Sequence, residues 1–231
     1  MWIDDQVLAD YRNQFSAKIF VPDSVTVVLG SGNDETKEVD LEACAASNIP
    51  VLRRYGGGGT VVLYPGCVVV SAGCWVHDPF NNSQFFKLMN QAVIDSLAAE
   101  NDDLACLSQA GISDITAGQK KVAGTSMFRS RNYLLYQASM IVSLEIDLIK
   151  KSLKHPTKEP DYRKGRSHED FLTSLQNLTS KITTPKNAAS MIAKGFERNA
   201  KIHLGSMLIE PVESQMPALR ARLDRSISGI S

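Results

Sequence analysis

The chain has 231 residues, with 25 basic and 25 acidic side chains and a formal net charge of zero, so no field of one sign argues for a nucleic-acid partner. Its 43% hydrophobic and 22% charged residues, with 15 Gly and 9 Pro, are those of a folded globule and exclude disordered, collagen-like and coiled-coil chains. The longest apolar runs, such as Val61 to Tyr64 and Tyr133 to Tyr136, fall far short of the ~20 residues that span a bilayer, so no membrane partner is expected.

In chain order, Ile3, Val7, Leu8 and Tyr11 recur at helical spacing and predict an amphipathic helix over 3 to 14. This acidic start lacks the basic-then-apolar pattern of a secretory signal, which predicts a cytoplasmic location. SVTVVLGSGN (24 to 33) reads as a buried strand ending in a Gly-rich turn, 39 to 48 as a helix ending near Asn48, and IPVLRR (49 to 54) as a second strand. TVVLYPG and CVVVSAG are β-rich and joined at Pro65-Gly66, a hairpin signal. Residues 83 to 99 place Phe86, Met89, Val93, Ile94 and Leu97 on one helical face behind Ser83 as the cap. Short strands follow around 112 to 142, a helix near 144 to 153, and then a polar loop in which Arg163, Lys164 and Arg166 are solvated or meet an acidic partner. TTPKN (183 to 187) opens a last helix to about 201, with Pro185 in its first turn. No repeat or low-complexity linker divides residues 1 to 231, so a single α+β domain is expected, a mixed or antiparallel sheet packed by helices.

Cys44, Cys67, Cys74 and Cys106 lack a CxxC pair or a His at metal spacing and read as reduced thiols. His155, His168 and His203 show no ligand spacing, and His77-Asp78 before Pro79 reads first as a turn. RRYGGGGT, Arg53 to Thr60, sets four glycines between strand-like runs. Bare N–H groups of such a loop hold phosphate or carboxylate oxygens, although a glycine run is also met as a plain flexible turn beside solvated arginines. It is neither a Walker loop nor GxGxxG before a helix. GQKKVAGTS (118 to 126) sets Lys120 and Lys121 between glycines, where a lysine either presents its charge to an anion or is merely solvated.

Together these segments resemble the lipoate-protein ligase and octanoyltransferase family, whose pattern is Arg-Arg-x-Ser-Gly-Gly-Gly-Ala-Val, then Gly-x-x-Asp, then Gly-x-Lys-Val-x-Gly about sixty residues after the glycines. Here these read RRYGGGGTV (53 to 61), GISD (111 to 114) and GQKKVAG (118 to 124), with one extra residue before the motif lysine. The likeness spans about residues 4 to 202, without the small C-terminal domain of the two-domain ligases. It implies a biotin/lipoate ligase type of fold and an enzyme that uses ATP and Mg2+ to convert lipoate or octanoate to acyl-AMP. The acyl group then passes to a lysine of a lipoyl carrier domain, of the 2-oxoacid dehydrogenase acyltransferase or glycine-cleavage H protein type. If activation needs the missing domain, a separate accessory chain supplies it. By resemblance, Arg54, Gly57, Gly58, Gly59, Thr60 and Val61 bind nucleotide and acyl chain, Asp114 positions nucleotide or Mg2+, and Lys121, with Gly124 beside it, is the catalytic cation. Metal ligands are not identified.

Departures from the pattern are Gly56 for the usual Ser, Thr60 for Ala, Leu63-Tyr64 for a His-Asp pair, and Ala138 where a Gly is common. Cys106 supplies an alternative nucleophile, because one group of octanoyltransferases keeps a thiol about fifteen residues ahead of the motif lysine, as Cys106 stands to Lys121. That thiol would carry octanoate as a thioester without ATP, unless Cys106 is simply packed. A non-catalytic acyl-binding relative is the third reading.

Overall fold

A computed structural model describes residues 10–77 and 81–227. The start of the expected helix at 3 to 14 lies outside them, as does Asp78 of the His77-Asp78 pair; residues 10–14 form a turn and bends.

The molecule is an α+β domain with two sheets. Six strands, β1 (Phe15–Phe20), β5 (Cys67–Trp75), β9 (Tyr133–Ile141), β8 (Lys120–Ser130), β7 (Asp114–Ala117) and β6 (Leu107–Ala110), lie in that spatial order, and every neighbouring pair is antiparallel. A smaller sheet holds β2 (Thr26–Leu29) between β3 (Val51–Arg53), which is parallel to it, and β4 (Val61–Leu63), which is antiparallel. β1 was not expected: only Phe15, Ala17 and Ile19 face the main core, and Ser16 and Lys18 alternate between them.

Pro65-Gly66 is not the turn of a hairpin. β4 pairs with β2 and β5 pairs with β1 and β9, so this turn carries the chain from one sheet to the other. Apolar content forecasts strands but not which edge they choose. The pieces expected at 112 to 142 are instead dominated by β8 and β9, paired from Ala123↔Met140 to Ser130↔Tyr133.

The helices are α1 (Glu35–Glu38), α2 (Leu41–Ala46), α3 (Asn82–Ala98), α4 (Ile146–Ser152), α5 (His168–Phe171), α6 (Pro185–Leu204) and α7 (Met216–Ile227). Asn81, not Ser83, caps α3, its side chain accepting from Gln84 N at 3.3 Å. Thr184 caps α6 with Pro185 in its first turn, and Gly205 at φ +49° ends it. α3 and α6 bury Phe85, Met89, Val93, Ile192 and Phe196 against one face of the large sheet. The small sheet covers part of the other face, where Val28, Leu63 and Val69 meet. No helix among the described residues is long and apolar enough to cross a membrane.

Candidate functional site

Arg53 and Arg54 shape the glycine loop from below. Arg54 is 8% exposed and donates to the carbonyls of Gly57 (2.6 Å), Gly59 (2.7 Å) and Val28 (3.4 Å), so its donors turn into the loop. Arg53 donates to the carbonyls of Gly30 (3.1 Å) and Asn33 (2.7 Å) in the turn after β2. Neither arginine is merely solvated. The two turns touch: a Cβ on Gly30 would stand 2.1 Å from Gly58 O, and Gly58 itself sits at φ +93°, where glycine is favoured. Gly56 replaces the family's serine where a Cβ would meet Ser126 Oγ and the Met127 backbone at 3.1 Å.

Beside the loop opens a cavity of about 1240 Å³, lined by Gly57–Thr60, Asp114, Lys121 and residues of the 154–163 segment. Lys121, at the start of β8, places Nζ 2.7 Å from Asp114 Oδ1 at the start of β7. Asp114 Oδ2 accepts from the Tyr162 hydroxyl at 2.8 Å. Gly124 makes room for the lysine, since a Cβ there would stand 3.0 Å from its Nζ and 3.2 Å from its Cε. A cation is thus held beside a loop of N–H groups, an arrangement suited to two anions meeting.

From Gly124, Ser139 and Val61 a narrow, mainly apolar slot of about 40 Å³ runs between the two sheets, toward Leu63, Val69 and Gln137. Leu63 lines this slot, and the Tyr64 hydroxyl, fully buried, donates to Ser143 O at 2.8 Å. The positions of the family's His-Asp pair therefore serve slot wall and core. Ala138 is also part of the slot lining.

The polar stretch after α4 is largely exposed, as expected of a loop, but Arg163 within it is not solvated. Arg163 is 5% exposed, lies 4.7 Å from the Phe171 ring, stands 3.4 Å from Glu159 Oε2 and donates to Arg166 O at 3.0 Å. Of the three basic residues Lys164 is exposed and Arg166 half-buried. Burial, with the Asp114 carboxylate beside it, pushes the Tyr162 hydroxyl pKa up, and burial pulls His168 down. This strap forms the outer wall of the cavity, and its contacts with Asp114 and Glu38 have no local motif that would have revealed them.

Cys106 ends the 3-10 turn Asp102–Cys106, is exposed, donates to Asp103 O at 3.2 Å and is not among the lining residues of the cavity. In register, Lys121 faces Thr116 of β7 and Thr116 faces Ser108 of β6, so two strand spacings, roughly 10 Å, separate the backbones of Lys121 and Ser108, and Cys106 stands two residues further along the chain, before β6 begins. Cys67 does line the cavity, but burial pushes its thiol up to about 12. No cluster of three or more His, Cys, Asp or Glu suited to a metal occurs among the described residues. Both Asp114 oxygens are already engaged. The residues present therefore do not build a Mg2+ cage.

A family model of the lipoyl protein ligase A/B catalytic domain matches residues 1–197. Lipoate-protein ligase A subunit 1 of Thermoplasma acidophilum is 30% identical over 207 residues, 86% of this chain and 74% of that protein. Octanoyltransferase LipM of Geobacillus kaustophilus is 21% identical over 229 residues, 87% of this chain and 81% of that protein. Among solved structures, a bi-partite lipoate protein ligase of T. acidophilum, described together with its E2 lipoyl domain, superposes with a TM-score of 0.70 at 21% identity. It covers 96% of this chain and 85% of its own, and shows the shared fold.

Proposed function

Because the chain belongs to the lipoyl protein ligase A/B catalytic-domain family, we propose that it activates lipoate or octanoate with ATP and transfers the acyl group to a lysine of a lipoyl carrier domain. The observation that carries this reading is Lys121, held by Asp114 at the point where the apolar slot meets the glycine loop. The acyl chain enters the slot, whose walls part from their present volume of about 40 Å³ to admit it, with its carboxylate at Gly124. A carboxylate oxygen attacks the α-phosphorus of ATP and pyrophosphate leaves, giving the acyl-AMP mixed anhydride. Two anions meet in that step, and the Lys121 charge offsets their repulsion. In the second step the uncharged acceptor amine attacks the acyl carbon, AMP leaves, and the nitrogen loses a proton as the amide forms. Lys121 then faces the developing oxyanion. Tyr162 orients Asp114, and Arg54 holds the loop carbonyls away from the anions. No step is assigned to a metal. The T. acidophilum relative is called a subunit and its solved counterpart bi-partite, which supports an accessory chain here as well.

The test is the intact mass of a lipoyl-domain acceptor incubated with this protein and lipoate or octanoate, with and without ATP, and repeated with the Lys121→Ala and Cys106→Ala variants. ATP-dependent acylation, lost in Lys121→Ala and kept in Cys106→Ala, is the expected result. Acylation from an octanoyl-carrier donor without ATP, lost in Cys106→Ala, would replace the ligase reading with the thiol route. Tight binding of octanoate without turnover under any condition, accessory chain included, would leave an acyl-binding protein.

A further inference from the structure

Glu38 is a buried carboxylate that the proposed chemistry does not use. It is 7% exposed at the end of α1 and lines the cavity. Its Oε2 accepts from Asn33 Nδ2 at 2.7 Å and from the Thr60 hydroxyl, and its Oε1 accepts from the Thr157 hydroxyl at 3.2 Å. Its side-chain hydrogen bonds all come from neutral donors, one amide and two hydroxyls. Asn33 also donates to Gly58 O at 3.1 Å, while the backbone of Glu38 accepts from Lys154 N at 3.0 Å. One carboxylate therefore joins the turn after β2, the glycine loop and the strap. Thr60 has a part in this only because it replaces the family's alanine and brings a hydroxyl.

We propose that Glu38 is a positioning residue that ties the glycine loop to the 154–163 strap, so that two walls of the cavity open and close as one unit. It acts through Thr60 and Asn33 on one side and through Thr157 on the other. The structural part of this stands by itself, and its consequence for ligand binding rests on the function proposed above.

Two buried arginines provide native reporters, because clostripain, which cuts after arginine and spares the exposed lysines of the strap, can cut after Arg54 in the loop or Arg163 in the strap only when that segment opens. Arg129, near the end of β8 and paired there with Leu134 of β9, reports unfolding of the large sheet. Timed digestion read by mass spectrometry should show Glu38→Ala raising cleavage after both Arg54 and Arg163 by about tenfold or more, with cleavage after Arg129 unchanged. Thr60→Val should raise only the first and Thr157→Val only the second. Glu38→Gln should rescue both to within about threefold, since its carbonyl can serve Asn33 and Thr60 while its amide donates to Thr157. Equal acceleration at all three arginines, or at one segment alone in Glu38→Ala, would overturn the coupling. Calorimetric titration with octanoyl-sulfamoyl-adenosine, a stable acyl-AMP mimic, reads the consequence: Glu38→Ala should bind at least about tenfold more weakly than wild type. If the wild type itself does not bind the mimic, the functional reading fails while the digestion still decides the coupling. If Glu38→Ala binds it as tightly as wild type, the positioning role is refuted.

Discussion

Gly124→Ala isolates the placement of Lys121 from its charge. A methyl at this position would stand 3.0 Å from Lys121 Nζ and 3.2 Å from Cε, against an ordinary contact of 3.4 Å or more. The ammonium must retreat by about 0.4 Å, enough to stretch the 2.7 Å contact with Asp114 beyond its present length. Misplacing a reacting group by ~1 Å is worth ~10²-fold in rate, so a shift of ~0.4 Å should slow carrier acylation about sixfold. Gly124 has no positive φ and lies within β8, so the backbone accepts the change and Tm should stay within about 2 °C. The assay is single-turnover acyl transfer followed by intact mass, with Lys121→Ala, itself expected to lose about 10²- to 10³-fold, as the second arm of a double-mutant cycle. Once the lysine is truncated the added methyl has nothing to displace, so Gly124→Ala should then have no further effect. A sixfold loss that persists in the Lys121→Ala background would refute the argument and show that the methyl acts by narrowing the mouth of the slot.

Gly30→Ala should be far more damaging, because its Cβ would stand 2.1 Å from the backbone oxygen of Gly58; a loss of about 3 kcal/mol or more in denaturant unfolding, or loss of acyl-AMP-mimic binding in a folded protein, is expected. Iodoacetamide at pH 8 should alkylate exposed Cys106 and spare Cys67 and Cys74, whose thiols burial pushes up to about 12; ATP-dependent activity should survive, and its abolition would return the thiol to the mechanism. His168 has its pKa held below the ordinary value by burial, so the unfolded chain takes up this proton first as pH falls. Its contribution to stability is therefore present above pH ~6.5 and lost below it, and thermal melts between pH 7 and pH 5 should show a shallower decline in His168→Gln; an unchanged decline would remove His168 as the cause.

The glycine loop, the lysine and the carboxylate were readable in the sequence because each sits in a short motif whose composition is tied to its backbone. Four glycines announce close approach, and Lys121 and Asp114 flank one tight turn from β7 into β8, so sequence distance and spatial distance agree. The resemblance implies a nucleotide contact for Arg54, whereas in the structure its guanidinium faces the Gly57 and Gly59 carbonyls, a choice that only the path of the loop decides. The hairpin expected at Pro65-Gly66 failed for a related reason. A turn's residues fix the local reversal, whereas the partner of each flanking strand is selected by core packing across the whole domain.

The strap shows the opposite case. Its residues look like surface, since Lys, Glu, Pro, Arg and Gly dominate 154 to 166. Most of them are surface, but two are tied down by partners far away in the chain: Tyr162 reaches Asp114 across 48 residues and Thr157 reaches Glu38 across 119. Arg163 can be buried there because its guanidinium lies over Phe171 and finds Glu159 and the Arg166 carbonyl as partners, which offsets the loss of water. A segment built this way keeps no apolar pattern to betray it. Its placement depends on polar contacts that Glu38 and Asp114 supply, so the segment that walls the cavity is the one whose position is least determined by its own sequence.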